Sequence, residues 1–167
     1  MNRSALVWAM ASVACAGSLS AWSGEETADV AKMMPQAKVT LVQGLTTSES
    51  QGKPISGKFE VDEGHFQLSV YTAKGGKFSE VVIDPATGAV TKTEAITEGD
   101  DLAAAKAQSA ASSKATKSLK SAAQQAEKES PGYRAVSIMP KLDNGHVVAD
   151  VDLVKGTAHK ATTTSLE

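Results

Sequence analysis

One short sequence pattern occurs twice in this chain at a constant offset of 81 residues, the spacing of Asp62 and Asp143. The first copy contains Asp62, Gly64, His65, Val70, Lys74 and Gly75, and the same residue types stand at 143, 145, 146, 151, 155 and 156. Each copy reads as a tight turn followed by an alternating strand. An internal repeat usually marks one supersecondary unit used twice. The chain is therefore predicted to contain a duplicated small module.

The first 23 residues are predicted to be a secretory signal peptide. Arg3 supplies the positive start, and the apolar run 5–16 is too short to span a bilayer. Small residues allow cleavage after Ser20 or after Ser23. The protein is therefore expected to be exported, periplasmic or secreted, and to have no transmembrane span in its mature chain.

Cys15 is the single cysteine of the chain and lies inside the predicted signal peptide. One interpretation is that it is lost on cleavage, which would leave no disulfide, thiol nucleophile or thiolate metal ligand. The other is lipidation, as in bacterial lipoproteins. The preceding Ser12 stands where a large aliphatic residue is normal for that modification. Both interpretations stay open at this point.

The composition argues against nucleic acid as a partner. The formal net charge is −2, and the 17 basic side chains form no cluster that could follow a phosphate backbone. The length fits one ordinary domain or two small ones. We predict two modules after the signal peptide, at residues 24–96 and 97–167.

The apolar pattern predicts an α+β fold. Phe66, Leu68 and Val70 alternate with polar residues, as does the run 147–153, and this is typical of antiparallel strands with one buried face. The Asp-Glu-Gly and Asp-Asn-Gly segments at 62–64 and 143–145 are hairpin turns. Each module is predicted to be one helix packed on a three-stranded antiparallel sheet.

An insertion is predicted in the first module. Pro35 and Pro131 precede comparable alternating segments but are 96 residues apart, 15 more than the repeat offset. Residues 39–42 are interpreted as the first strand of the first module. The Ser-, Thr- and Gly-rich segment 44–54 then reads as a surface loop.

The second module is predicted to begin with a long Ala-rich helix that ends at Pro131-Gly132. Its small residues follow a helical period, and Ser112-Ser113 is a point where it could divide. The stripe comprises Ala104, Ala107, Ala111, Ala115, Leu119, Ala122 and Ala126. A helix with such a stripe packs closely on a sheet more often than it binds a partner. Four lysines, Lys114, Lys117, Lys120 and Lys128, are interpreted as a solvated face.

The candidate binding residues are His65 and His146, which follow the turn glycine in the two copies. If the copies pair about a twofold axis, these imidazoles could converge on a ligand or metal ion. The simpler interpretation is a polar residue at the start of an exposed strand, so no metal site and no cofactor is predicted. His159 matches Phe78 by the offset and is interpreted as structural. No Ser lies in a Gly-x-Ser-x-Gly turn, and no catalytic residue is assigned.

The layout resembles the PepSY family of exported and membrane proteins. The residues that carry the likeness are Leu119, Ala122-Ala123, Pro131-Gly132, the strand segments 136–140 and 147–153, the turn 143–145, and Asp84-Pro85-Ala86-Thr87-Gly88-Ala89-Val90 after the strand 78–83. The likeness covers most of residues 25–163. The second copy ends before any equivalent of the Asp84–Val90 segment, and the first carries the predicted insertion.

PepSY modules occur in propeptides that inhibit thermolysin-like proteases, so the resemblance implies a protease inhibitor or regulator acting in trans. The predicted function is that of an exported non-enzymatic protein that binds another exported protein, a protease being one candidate, through a strand or sheet face. The alternative is a periplasmic module that binds a small ligand or metal between the two repeats.

Overall fold

The computed structural model describes residues 24–167, so the predicted signal peptide and Cys15 lie outside the described residues. The helices are α1 (Gly24–Met33), α2 (Leu41–Ser48), α3 (Gly99–Lys114) and α4 (Leu119–Glu129), with a 3-10 helix at Met34–Gln36. The strands are β1 (Lys53–Asp62), β2 (His65–Lys74), β3 (Lys77–Ile83), β4 (Val90–Ile96), β5 (Arg134–Asp143), β6 (His146–Lys155) and β7 (Ala158–Ser165).

The seven strands form one antiparallel sheet in the order β4-β3-β2-β1-β5-β6-β7. The α+β class is confirmed, but the prediction of two three-stranded sheets is wrong. The first strands of the two repeats pair with each other, with Gly57 opposite Ile138 and Lys58 opposite Ser137. An isolated three-stranded sheet would leave both β1 and β5 as edges with unpaired backbone groups. The pairing at these two positions joins the two repeats into one sheet.

The repeat is visible in the backbone. β1 and β2 lie 81 residues before β5 and β6, and the register shifts at the same place, between Pro54 and Ser56 in β1 and between Ala135 and Ser137 in β5. The turn residues 63 and 144 have positive φ angles of 48° and 49°. Val70 and Val151, at matching positions, are both fully buried. The predicted equivalence of the two hairpins is confirmed.

The predicted insertion is wrong, because the segment 39–42 is not a strand. Thr40 caps α2 in a capping box: its side chain accepts a hydrogen bond from the Gln43 backbone N–H, and the Gln43 side chain accepts one from the Thr40 N–H. β1 begins at Lys53, which is 81 residues before Arg134 at the start of β5. The segment read as a loop is therefore α2, a turn and the start of β1.

The long Ala-rich helix is two helices. The chain leaves α3 after Lys114, and Ser118 caps α4 by accepting a hydrogen bond of 3.1 Å from the Ser121 backbone N–H. The predicted stripe is buried through α4, but in α3 Ala107 is exposed. The residues that α3 buries are Ala105, Gln108, Ala111 and Ser112.

The helices cover both faces of the sheet. The main core lies between one face and α1, α2 and α4, and its larger members are Leu41, Leu45, Phe59, Leu68, Ile83, Ile138 and Leu153. A smaller cluster on the other face joins α3 to Ile55, Tyr71 and Phe78. There the Ser56 hydroxyl donates a buried 2.6 Å hydrogen bond to the Gln108 side-chain oxygen. α3 thus packs on the second face of the sheet and is held there by this hydrogen bond.

Candidate functional site

The structure places His65 and His146 at opposite ends of the sheet. Each opens the second strand of its hairpin and is exposed, with His65 opposite Asp62 and His146 opposite Asp143. Because β1 and β5 run antiparallel from their pairing at Gly57, the two hairpin tips point away from each other. At about 3.3 Å per residue, the tips are roughly 30 Å apart. A metal ion held by both imidazoles does not fit this arrangement.

His146 instead pairs with a nearby carboxylate. Its Nδ1 lies 3.0 Å from Glu167 Oε2, and the hydrogen bond to Glu167 raises the pKa of the imidazole above its usual value. The same bond lowers the pKa of the Glu167 carboxyl, and the Val147 backbone N–H donates to its other oxygen. His146 therefore ties the residues after β7 to the start of β6. Within residues 24–167, no group of three or more His, Cys, Asp and Glu side chains could hold a metal ion.

A polar network lies on the α3 face of the first repeat. The Ser69 hydroxyl donates a 2.6 Å hydrogen bond to Glu60 Oε1, while Lys58 Nζ lies 2.5 Å from Glu60 Oε2. Glu80 on the next strand stands directly opposite Tyr71. Burial raises the pKa of Glu80, and the nearby negative charge of Glu60 raises it further.

A second network of hydrogen-bonded side chains lies in the other repeat. The Ser137 hydroxyl donates a 2.7 Å hydrogen bond to Asp152 Oδ2, and His159 Nε2 lies 2.9 Å from Asp152 Oδ1. Asp152 is buried and stands between the other two side chains. The imidazole is therefore bonded to the carboxylate and not to the hydroxyl, so the residue types of a nucleophilic triad are present in the wrong order.

A cavity of about 290 Å³ lies between the two repeats. Its wall comes from the end of α2, the start of β1 and the link from α3 to α4. The lining residues are Leu45, Glu49, Lys53, Pro54, Ser112, Ala115, Thr116, Lys117, Ser118, Leu119 and Lys120. These come from segments more than 50 residues apart, so no local pattern could have predicted the cavity.

Two lysines of the predicted solvated face line this cavity. Lys117 and Lys120 stand at the start of α4, and Lys53 of β1 joins them. Lys114, Lys117 and Lys128 are exposed as predicted, and Lys120 is half-buried. The sequence gives the lysine spacing, but only the break between α3 and α4 turns two of these lysines toward β1.

The two edges of the sheet differ in their surroundings. β4 is exposed along its whole length except at Ile96, which is half-buried, and its main contacts are with β3. β7 forms the other edge and also packs against α1 and α4. Lys160 of β7 donates a 2.7 Å hydrogen bond to the Ser130 hydroxyl, just after α4. β4 is the more open of the two edges.

Comparison with known proteins gives no relative: no protein-family model, no curated protein and no solved structure matches this chain. Among the helices of residues 24–167, none is both long enough and apolar enough to cross a membrane.

Proposed function

We propose that this chain is an exported binding protein without catalytic turnover, and that it holds a partner protein along β4. The observation that carries the proposal is the state of this edge. β4 is a seven-residue strand whose free side faces away from β3, and only Ile96 at its end is half-buried. A free edge presents a row of backbone donors and acceptors to which an extended segment can add as a further strand.

The sequence of β4 suits this role. It reads Val-Thr-Lys-Thr-Glu-Ala-Ile, in which four of the seven residues are β-branched and none is proline. Its two charged side chains, Lys92 and Glu94, pair with each other at 2.8 Å. The strand therefore presents little net charge to oppose an incoming segment. The junction at β1 and β5 uses the inner edges, which leaves β4 and β7 for contact with a partner.

The partner that we propose is another exported protein. The resemblance to PepSY modules, which is itself part of this proposal, adds that a protease is a suitable partner and that the effect would be inhibitory or regulatory in trans. An extended segment of such a partner would lie antiparallel or parallel to β4. Backbone hydrogen bonds would supply the affinity, and alternate side chains would set the specificity.

The arrangement around Ser137 supports a role without hydrolysis. A serine nucleophile needs a base that accepts its proton. The proton of Ser137 points to Asp152, and His159 occupies the other oxygen of that carboxylate. We expect no labelling of Ser137 by a fluorophosphonate probe. Covalent labelling at that residue would contradict the non-enzymatic proposal.

Proline scanning of β4 tests the docking edge. Backbone N–H groups of an edge strand point alternately toward the neighbouring strand and away from the sheet. Of Thr93→Pro and Glu94→Pro, one therefore removes a bond to β3 and the other removes an outward donor. The variant that keeps the parental melting temperature is the informative one. We expect it to lose capture of the partner from the envelope fraction.

The matched controls are Thr162→Pro and Thr163→Pro on β7, the other edge. The folded member of that pair should capture the partner as well as the parent does. Equal capture by the folded β4 variant would exclude β4 as the docking edge. Loss of capture in the folded β7 variant alone would move the docking site to β7 and contradict the proposal.

A second candidate function is binding of a small ligand between the two repeats. The cavity between α2, β1 and the α3–α4 link favours it, because it is built from both repeats. His65 and His146 do not contribute to that cavity. The candidate therefore concerns a small molecule and not a metal ion held by the predicted histidines.

A further inference from the structure

We propose that the cavity between the repeats binds a small molecule with an apolar body and one carboxylate group. The inference rests on the second candidate function and is independent of docking at β4. It is supported by the charge of the cavity wall, the start of α4, an unpaired hydroxyl and the apolar residues of the lining.

The wall carries an excess of positive charge. Lys53, Lys117 and Lys120 line the cavity together with a single acid, Glu49. The chain as a whole has a net charge of −2, so this concentration of lysine is local. Like charges converging on one cavity repel one another, and a bound anion would relieve that repulsion.

The three ammonium groups differ in how far the protein already satisfies them. Lys120 Nζ lies 2.5 Å from Glu49 Oε1, and Lys53 Nζ donates a 3.2 Å hydrogen bond to the Ser112 carbonyl oxygen. The backbone N–H of Lys117 donates a 3.0 Å hydrogen bond to the Leu166 oxygen, but its ammonium group makes no hydrogen bond or ion pair with residues 24–167. Its positive charge interacts with the Glu167 carboxylate, but that carboxylate is already hydrogen-bonded to His146. Lys117 is therefore the cation best placed to bind a ligand carboxylate.

The start of α4 adds to the positive potential. The first turn of this 11-residue helix contains no acidic residue, and Lys117 and Lys120 flank its cap. Cations at the positive end of a helix dipole are unfavourable, whereas an anion there is favourable. Lys117 and Lys120 thus lie where the helix dipole makes positive charge unfavourable. An anion bound in the adjacent cavity would offset this unfavourable interaction.

The Ser112 hydroxyl is a second, independent observation that favours a ligand in this cavity. This residue of α3 lines the cavity and is 5% exposed, yet its hydroxyl has no hydrogen-bond partner among the described residues. A buried hydroxyl without a partner destabilises the folded state, because it has lost its hydrogen bonds to water. A ligand oxygen that accepts from Ser112 would remove this destabilisation.

The remaining lining favours an apolar body on the ligand. Leu45, Pro54, Ala115 and Leu119 supply apolar surface at the cavity wall. The volume of about 290 Å³ lies near the lower end of ordinary ligand pockets. An inorganic anion alone would leave this surface without contacts. A small monocarboxylic acid matches both parts of the lining.

The test is an NMR titration of the ¹⁵N-labelled protein with benzoate. We expect saturable shifts of backbone amides in 112–120 and at Lys53. Lys117→Gln should weaken binding on the order of tenfold, because a charge-assisted hydrogen bond is lost. Lys128→Gln, an exposed lysine later in α4 that does not line the cavity, is the matched control and should bind as the parent does.

Two further probes separate the parts of the inference. Benzamide has the same apolar body without the charge, and phosphate has charge without the body; both should bind more weakly than benzoate. Equal binding of benzamide and benzoate, or equal affinity of Lys117→Gln and the parent, would overturn the proposal. So would the absence of saturation. None of these results bears on partner capture at β4.

Discussion

Lys58 of β1 lies directly opposite Ser137 of β5, and this pair with its neighbour Gly57–Ile138 joins the two repeats into one sheet. Arg134 strengthens the junction from the side: its guanidinium donates to the backbone oxygens of Met34, Ala37 and Val39. The fold is therefore a single sheet built from two copies of a hairpin unit, and its remaining edges are β4 and β7.

Gly44→Ala is expected to destabilise the protein, contrary to helix propensity. In an exposed helix this change stabilises by about 1 kcal/mol. Here a Cβ on Gly44 would stand 2.1 Å from Leu68 Cδ2 and 3.1 Å from Leu68 Cγ, in the fully buried core. Overpacking should lower the free energy of unfolding by about 1–3 kcal/mol, measured by urea denaturation.

Gly24→Ala is the matched control, because apart from its chain neighbours and its own helix backbone no atom of residues 24–167 lies within 4 Å of a Cβ at the start of α1. It should stay within about 0.5 kcal/mol of the parent. An unchanged or higher stability of Gly44→Ala would show that α2 does not pack closely on β2.

The sequence predicted what depends on local chemistry. The turns at 62–64 and 143–145 require positive φ, and the strands that follow alternate with period two, so both hairpins were predictable. The capping box of Thr40 and Gln43 was also a readable signal for α2. It was missed because residues 39–42 alternate like a strand and the following segment has the composition of a loop.

The rest depends on contacts between distant segments. No local pattern specifies that β1 pairs with β5, since any exposed edge of the right length can pair. That antiparallel pairing separates His65 from His146 and brings Lys53 of the first repeat close to Ser112 of the second. The predicted site residues thus lie apart. Lys117 is exposed as predicted, but the sequence did not indicate that it and Lys120 line a cavity.

Val151→Asp should destabilise the protein by roughly 3 kcal/mol or more, because it places an unpaired charge in the main core. Val151 is fully buried and stands opposite Ile138 in β5. The control is Val61→Asp, since Val61 is 38% exposed. Comparable thermal melts of the two variants would show that the inward face of β6 is misassigned.

Glu80→Gln should stabilise the protein near neutral pH. Burial raises the pKa of this carboxyl in the folded state above its usual value of 4.5, so the folded state binds the proton more readily than the unfolded state. Stability is therefore lost as the pH rises from the unfolded pKa through the folded pKa. The substitution removes that loss, and its advantage should shrink below about pH 4.5.

Melting temperatures of parent and Glu80→Gln across pH 3–8 check this sign. Glu129→Gln, at an exposed carboxylate of α4, should change stability little at any of these pH values. A Glu80→Gln variant that is less stable than the parent at pH 7 and more stable at pH 3 would contradict the account of Glu80.

Ser112→Ala should stabilise the protein without ligand and weaken benzoate binding. The substitution removes a buried hydroxyl that has no partner in the described part of the chain, which favours the folded state by about 1 kcal/mol. The neighbouring Ser113 is exposed, and its hydroxyl donates a 2.7 Å hydrogen bond to the Ala110 carbonyl. Ser113→Ala should therefore affect neither quantity appreciably. Lower stability of Ser112→Ala would show that its hydroxyl is already satisfied.

Residue-resolved amide hydrogen exchange of the free protein tests the single sheet most directly. If β1 and β5 are central strands, their amides at 57–58 and 137–138 should exchange among the slowest in the chain. In β4, alternate amides should exchange rapidly because they face away from β3. Fast alternate exchange in β1 and β5, as in β4, would mean that each repeat keeps its own sheet, and it would contradict the account.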